Sequence, residues 1–314
     1  MLLLLALACG PKQPAAVAPP PAPPAATLQD GALPGATPLQ RGTYLTSAVV
    51  DCVHCHTKRD VNDYTKAEGP PFAGGEIFDA AWKIPGTIIT PNLTPDMETG
   101  LGAWTDLEVK RAIREGLNRN GERLFPLMPS HYFQAMSDED LEGIVAFLRS
   151  LPPTPKASTQ QTTLDFPREA LPKLPPITAP VPPPSSDPVA RGAYLVRLAN
   201  CRTCHSPTKG GQEIQERFLA GGVYFTTPFG SFPTPNLTPD PETGLGAWTD
   251  DEIKTLLTTG VRKNGQRVVA NFMPWWIYRN MAPADLDAIV AYLRSLPAVK
   301  SDRYLPENQF PLGG

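Results

Sequence analysis

Apolar residues along the chain recur at helical spacing in short blocks. Leu141, Ile144, Val145 and Leu148 stand at i, i+3, i+4 and i+7, which predicts a helix with one buried face. Leu286, Ile289, Val290 and Leu293 repeat the pattern. Ser137 with Asp140 starts the first of these helices. Thr105 with Glu108, and Thr249 with Glu252, are capping boxes, and each opens a helix that stops near a glycine, Gly116 or Gly260. Two further helices are expected at Arg41-Gly-Thr-Tyr-Leu and at Asp187-Pro-Val-Ala-Arg-Gly-Ala-Tyr-Leu, where Pro188 suits a first turn. No segment predicts a strand, so the expected fold class is all-α. A few short helices joined by long loops make a thin core, and something besides side chains must fill it.

The blocks come in pairs because the chain repeats itself. Pro91 to Asp96 recurs as Pro235 to Asp240, and Thr99 to Asp106 as Thr243 to Asp250, at an offset of 144. Ile144 to Pro152 recurs as Ile289 to Pro297. A twofold array is too short for a solenoid, so the expectation is a duplicated domain. Proline marks the seams: there are 39 in 314 residues, well above the usual share of about 5%. The segments predicted are a signal remnant over 1–10, a Pro/Ala-rich tether over 11–38 and a first domain over 39–151. A Pro-rich linker over 152–187, a second domain over 188–305 and a tail over 306–314 follow.

Net charge of −3 argues against a nucleic-acid partner. No apolar run approaches the ~20 residues needed to span a bilayer. The N-terminal Leu-rich run ends in Ala8-Cys9-Gly10, which looks like the end of a secretory signal followed by a lipoprotein cleavage site. Cys9 is therefore the candidate lipidated residue. The expected location is the bacterial periplasm, with an acyl chain holding the protein at a membrane surface. The other reading is an ordinary signal peptide with an incidental cysteine.

The remaining four cysteines lie in Cys52-Val-His-Cys55-His56 and Cys201-Arg-Thr-Cys204-His205. C-x-x-C-H is the pattern of covalent c-type haem attachment. Two cysteines one helical turn apart each form a thioether to one vinyl group, and the following histidine meets the iron. Structural zinc would want four ligands close in sequence, yet the two motifs lie about 145 residues apart. A redox dithiol would want a βαβ context, and a disulfide framework needs no histidine in register. The cofactors expected are two covalently bound haem c groups, with His56 and His205 as axial ligands.

Of the methionines, only Met128 with Met273 and Met136 with Met281 recur between the copies. Met136 and Met281 stand just before the last helix of each copy, where a core role is the default. Met128 and Met273 each precede a proline in an irregular stretch, and a fixed loop suits a weak thioether ligand, so these are the distal candidates. His131 is a rival in copy one, but copy two has Trp276 there, and His54 lies inside the attachment motif. Trp104, Trp248, Asn92 and Asn236 are candidate contacts to the haem propionates; ordinary packing and turn formation are the other reading.

Each half resembles a class I cytochrome c domain. The run through Phe72-Ala-Gly-Gly75, Pro91 to Asp96, Trp104, Met128-Pro129 and Leu148-Arg-Ser-Leu-Pro152 is similar to the cytochrome c subunits of membrane-bound alcohol and gluconate dehydrogenases. The second half repeats it through Ala220-Gly-Gly222, Met273-Pro274 and Leu293-Arg-Ser-Leu-Pro297. The resemblance implies an electron carrier, not itself an enzyme. Its partners would be redox proteins: a dehydrogenase as donor, and an oxidase, quinone or cytochrome as acceptor. The chain departs from those subunits in carrying two haem motifs where they have three. Gly69-Pro70, the candidate for orienting the first histidine, has no obvious counterpart in copy two. A di-haem peroxidase or a haem-based sensor is the alternative class, although two matched Met-Pro ligands would leave neither iron open.

The copies differ in charge. Residues 39–151 hold 11 basic and 16 acidic residues, net −5, whereas 188–300 hold 12 and 9, net +3. The halves are therefore expected to face different redox partners, unless the imbalance serves to attract one domain to the other.

Overall fold

The computed structural model describes residues 28–156, 158–209, 212–227, 230–268 and 273–301. Cys9, the tether as far as residue 27 and the tail from residue 302 lie outside the described residues.

Copy one contains α1 (Pro38–Tyr44), α2 (Cys52–Cys55), α3 (Asp106–Glu115), α4 (Ser130–Phe133) and α5 (Asp138–Ser150). Copy two contains α6 (Pro188–Leu198), α7 (Cys201–His205), α8 (Asp250–Thr259), α9 (Trp275–Tyr278) and α10 (Pro283–Ser295). The local signals act where they stand in the sequence. Thr105 and Thr249 cap α3 and α8 in reciprocal boxes with Glu108 and Glu252, and Gly116 and Gly260 end these helices at φ 63° and 70°. Ser137 accepts from the Asp140 amide at the start of α5. The four predicted apolar residues of α5, and those of α10, are buried.

In each copy the first helix crosses the last at a glycine. A Cβ at Gly42 would sit 1.8 Å from the Gly143 carbonyl oxygen, and one at Gly192 would sit 1.9 Å from that of Ala288. Neither glycine has a positive φ, so close approach is the reason for it. Each crossing is clamped by an ion pair: Arg41 reaches Asp140 at 2.6 and 3.0 Å, and Arg191 reaches Asp285 at 2.5 Å.

The same carboxylates tie the halves together. Tyr44 donates its hydroxyl to Asp285 at 2.6 Å, and Tyr194 donates to Asp140, also at 2.6 Å. Each hydroxyl accepts in turn from a backbone amide of the other half, Ala282 at 3.1 Å for Tyr44 and Ser137 at 3.0 Å for Tyr194. The contact is self-complementary, as at a twofold dimer interface. One hydrophobic core runs through it, from Tyr44, Leu45 and Ile144 to Leu195, Leu198 and Ile289.

One expectation needs correction. The helical class holds, but nine short strands occur among the described residues. They include hairpins β1 (Arg59–Asp60) with β2 (Asp63–Ala67) and β8 (Tyr224–Thr227) with β9 (Gly230–Pro233). Strands of two to five residues are too short to show a period-two pattern, and this hid them from the sequence. Part of the Pro-rich segment over 152–187 is bound along copy one. Its strand β5 (Thr163–Leu164) pairs with β4 (Gly86–Ile89), which also pairs with β3 (Ile77–Phe78). Leu171 enters a small apolar cluster with Phe78, Ile84, Ile88 and Phe125. The last pair of strands is β6 (Thr208–Lys209) with β7 (Gln212–Glu213).

Candidate haem sites

A residue with left-handed backbone precedes each attachment motif: Asp51 at φ 52° and Asn200 at φ 58°. Asp and Asn tolerate this region better than other side chains. They turn α2 and α7 sharply off the preceding helices. In copy one that helix also widens before it ends, through a Val50 amide bonded to the Leu45 carbonyl at 2.8 Å.

His56 donates Nδ1–H to the Pro91 carbonyl at 2.9 Å, and His205 donates to that of Pro235 at 2.8 Å. A carbonyl only accepts, so the proton sits on Nδ1 and Nε2 keeps its lone pair for a metal. Burial lowers both histidine pKa values, which keeps the rings neutral. These prolines open the repeated Pro-Asn-Leu-Thr-Pro-Asp segment, so the histidine partner exists in both copies. Gly69-Pro70 is not that partner.

The Ala-Gly-Gly motif fits the prolines against the histidines. Gly74 donates to the His56 carbonyl and Gly221 to that of His205, both at 2.8 Å. A Cβ on Gly74 would lie 2.6 Å from the Pro91 oxygen, and one on Gly221 would lie 2.4 Å from that of Pro235. The repeated arginine of Leu-Arg-Ser-Leu-Pro is also explained. Arg149 donates to the Leu101 and Trp104 carbonyls at 2.6 Å each, and Arg294 donates to those of Leu245 and Trp248. Each arginine fixes the loop that carries a tryptophan. None of these support residues has distinctive chemistry; the signal that marks them is their recurrence in both copies.

None of the four motif cysteines is in a disulfide, and burial, first of all, would push their pKa values as thiols up to about 12. Among the described residues no three His, Cys, Asp or Glu side chains lie close enough to hold a metal ion, which leaves zinc without a geometry. Instead Cys52, Cys55, His56 and Met128, with Cys201, Cys204, His205 and Met273, all line one continuous cavity of ≈ 1900 Å³. That exceeds the 300–1,000 Å³ of an ordinary ligand pocket. Its walls are largely apolar, with Leu101, Val109, Ile113 and Leu148 in copy one and Leu245, Ile253, Ile289 and Leu293 in copy two. The cavity is sulfur- and imidazole-lined and suited to two flat apolar groups.

The other candidates are distributed as follows. Trp104 and Trp248 line the cavity. Asn92 and Asn236 line it too, but their amide hydrogens are engaged within the loops. Asn92 donates to Thr99 and to the Thr154 carbonyl, and Asn236 to Thr243 and the Val299 carbonyl. Met136 and Met281 are buried in the core, and Met136 also lines the cavity. His131 lies against Tyr132 at 3.9 Å between ring centres, and His54 bonds Asp51 at 3.0 Å; neither lines the cavity.

The short helix after each Met-Pro touches the other half. Trp276 on α9 packs 5.5 Å from His54 and lies 4.9 Å under the Arg59 guanidinium, and Tyr132 on α4 lies 5.4 Å under that of Arg202.

A family model described as "Cytochrome c" matches residues 41–152 and 189–297. The chain is 31% identical to the alcohol dehydrogenase (quinone) cytochrome c subunit of Gluconobacter oxydans (strain 621H), over 86% of this chain and 57% of that protein. It is 32% identical to the gluconate 2-dehydrogenase cytochrome c subunit of Pantoea cypripedii, over 83% of this chain and 60% of that one. With a diheme cytochrome c-type protein of Cereibacter sphaeroides it shares 28% identity, over 79% and 83%. The chain spans about half the length of the dehydrogenase subunits it matches.

Proposed function

The chain belongs to the cytochrome c family, and on that premise we propose that it relays single electrons between a dehydrogenase and a respiratory acceptor. It carries two covalently bound haem c groups, one per attachment motif. When bound, each supplies an iron that alternates between ferric and ferrous and so takes up and gives up one electron.

The protein's own residues hold and enclose these groups. Cys52 and Cys55, and Cys201 and Cys204, supply the thioether sulfurs. His56 and His205 present Nε2, because Nδ1–H is committed to a proline carbonyl. Met128 and Met273 are the proposed distal ligands. Both line the cavity, which neither His54 nor His131 does, and both sit in loops where the Ser130 or Trp275 amide donates to the methionine's own carbonyl at 2.8 Å. With His56 and Met128 on one iron and His205 and Met273 on the other, neither iron would keep a position for a substrate, as suits a carrier. One observation carries the reading: both cysteine pairs, both histidines and both candidate methionines line a single, largely apolar cavity.

The dehydrogenase partner is inferred from relatives whose names place them in alcohol and gluconate dehydrogenases. No helix among the described residues is long and apolar enough to cross a membrane. We assign attachment to an acyl chain on Cys9, in the periplasm, on the strength of the Ala8-Cys9-Gly10 sequence.

Redox titration of the purified protein tests this function. Two haem adducts by mass, two one-electron waves and a long-wavelength methionine–iron band are expected. Met128→Leu and Met273→Leu should each remove about half of that band and open one iron to carbon monoxide. A wild-type protein that binds carbon monoxide when reduced, or turns over hydrogen peroxide rapidly, would instead be an enzyme or a sensor.

A further inference from the structure

The two mouths of the cavity are built from equivalent segments with different charges. In copy one the loop after α3 contributes Asn118 and Glu122 to the lining; in copy two the equivalent positions are Arg262 and Gln266, one positive charge more and one negative charge fewer. Lys263 and Arg267 line the cavity beside them, where copy one has Arg119 and Arg123 outside the lining. Arg262, Lys263 and Arg267 are exposed. Lys263 pairs with Glu252 at 3.4 Å and donates to the Ala247 carbonyl at 3.0 Å. Glu242, the carboxylate of copy two that lines the cavity among the described residues, is taken by Lys300 at 2.5 Å.

Among the described residues, the mouths also differ in what covers them. Arg123 in copy one donates to the Glu169 and Leu171 carbonyls at 2.5 and 2.7 Å, and Arg168 returns a bond to the Arg123 carbonyl at 2.9 Å. Gln161, Thr162 and Arg168 of this strap line the cavity. The equivalent Arg267 holds no strap among the described residues; it bonds the Thr259 carbonyl at 3.1 Å and lies 5.1 Å over Trp275.

We propose that the mouth of copy two, centred on Arg262 and Lys263, is the docking face for a redox protein with an acidic surface around its own cofactor. The face of copy one that would compete already carries residues 163–171, and lacks the extra positive charge. Complementary charge across such a contact raises the encounter rate and fixes which face is used. The proposal rests on the electron-carrier reading above and names the chemistry of one of its partners.

The test is a calorimetric titration of the haem-loaded protein with plant-type ferredoxin, an acidic redox protein, at about 0.01 M and about 0.15 M salt. Binding should tighten at low salt. Arg262→Glu combined with Lys263→Glu should weaken it at least tenfold there, whereas Arg119→Glu in copy one should change it less than twofold. The variants' helix content and their two haem adducts establish that they are folded; if the double variant does not fold, Arg262→Glu alone carries the test. In stopped flow, one electron passes from reduced ferredoxin to the ferric protein with no bond or proton moved, and this rate should fall in parallel. Neutral hydroquinone should reduce both forms alike. Wild-type affinity and salt dependence in the double variant would overturn the proposal. So would a shifted midpoint potential with unchanged binding, which would assign these side chains to the haem carboxylates. A polypeptide without two haem adducts would remove the carrier reading itself; normal hydroquinone reduction without salt-dependent docking would remove this proposal alone.

Discussion

His56 and His205 do the same work in the same way, each giving Nδ1–H to the carbonyl of an equivalent proline. Arg123 and Arg267 are just as equivalent in sequence, but one ties down the interdomain segment and the other stands exposed. The residue before the attachment motif shows the same split. Asp51 and Asn200 share a left-handed backbone, yet one is a carboxylate bonded to His54 and the other an amide bonded to Thr203. The duplication has kept whatever must hold a haem and a helix crossing. It has diverged where a side chain meets the linker or solvent, and at Asp51 and Asn200 on the cavity wall. Two sites of one geometry can therefore sit in different electrostatic surroundings.

The sharpest way to break this comparison is to remove one site. Cys201→Ser with Cys204→Ser should leave one haem adduct by mass, with the copy-one spectrum intact. The unfilled half of the cavity should destabilise the fold by several kcal/mol, on the order of large core truncations. If the copy-one spectrum is lost as well, the halves are less independent than their equal ligand sets imply.

Next come the helix crossings. Gly42→Ala and Gly192→Ala each drive a methyl against a backbone carbonyl and should cost about 3 kcal/mol or more, equally in both copies, by chemical denaturation. A marked inequality would mean that one crossing bears more of the fold.

The reciprocal tyrosines should be symmetric too. Tyr44→Phe and Tyr194→Phe each leave a buried aspartate one donor short, at a cost of about 1.5–3 kcal/mol. Burial, followed by the charge of Asp285 or Asp140, raises both tyrosine pKa values above the ordinary 10.0. A raised folded pKa means that the stabilisation is complete below pH 10 and is lost as pH rises beyond it, where the unfolded tyrosine ionises. Wild-type stability should therefore fall above pH 10, and the double Phe variant should show a shallower fall.

The smallest effect sharpens the asymmetry. Arg123→Ala should cost about 1 kcal/mol and loosen 163–171 to hydrogen exchange, whereas Arg267→Ala should be near neutral.

Much of this was legible in the residues because it is local. A capping box needs only four consecutive positions, and Thr105 and Thr249 act as read. The attachment motif needs one helical turn, and a buried helical face shows in its own spacing. The internal repeat was a second aid, since it separated Met128 and Met273 from methionines without counterparts. It also exposed positions, such as Pro91 and Pro235, whose role could not be named from sequence.

What the sequence determined by itself is thus the duplicated, largely helical plan and the chemistry of its two motifs. These depend on neighbours in the chain. The tertiary structure decided which carbonyl orients each histidine, that the segment called a linker is strapped to copy one, and that the two pockets open into one cavity. It also decided that Tyr44 and Tyr194 lock the halves through each other's aspartates. Those contacts join residues from 30 to more than 240 positions apart. Their partners are chosen by packing and by the need to satisfy buried polar groups, and a one-dimensional pattern carries neither.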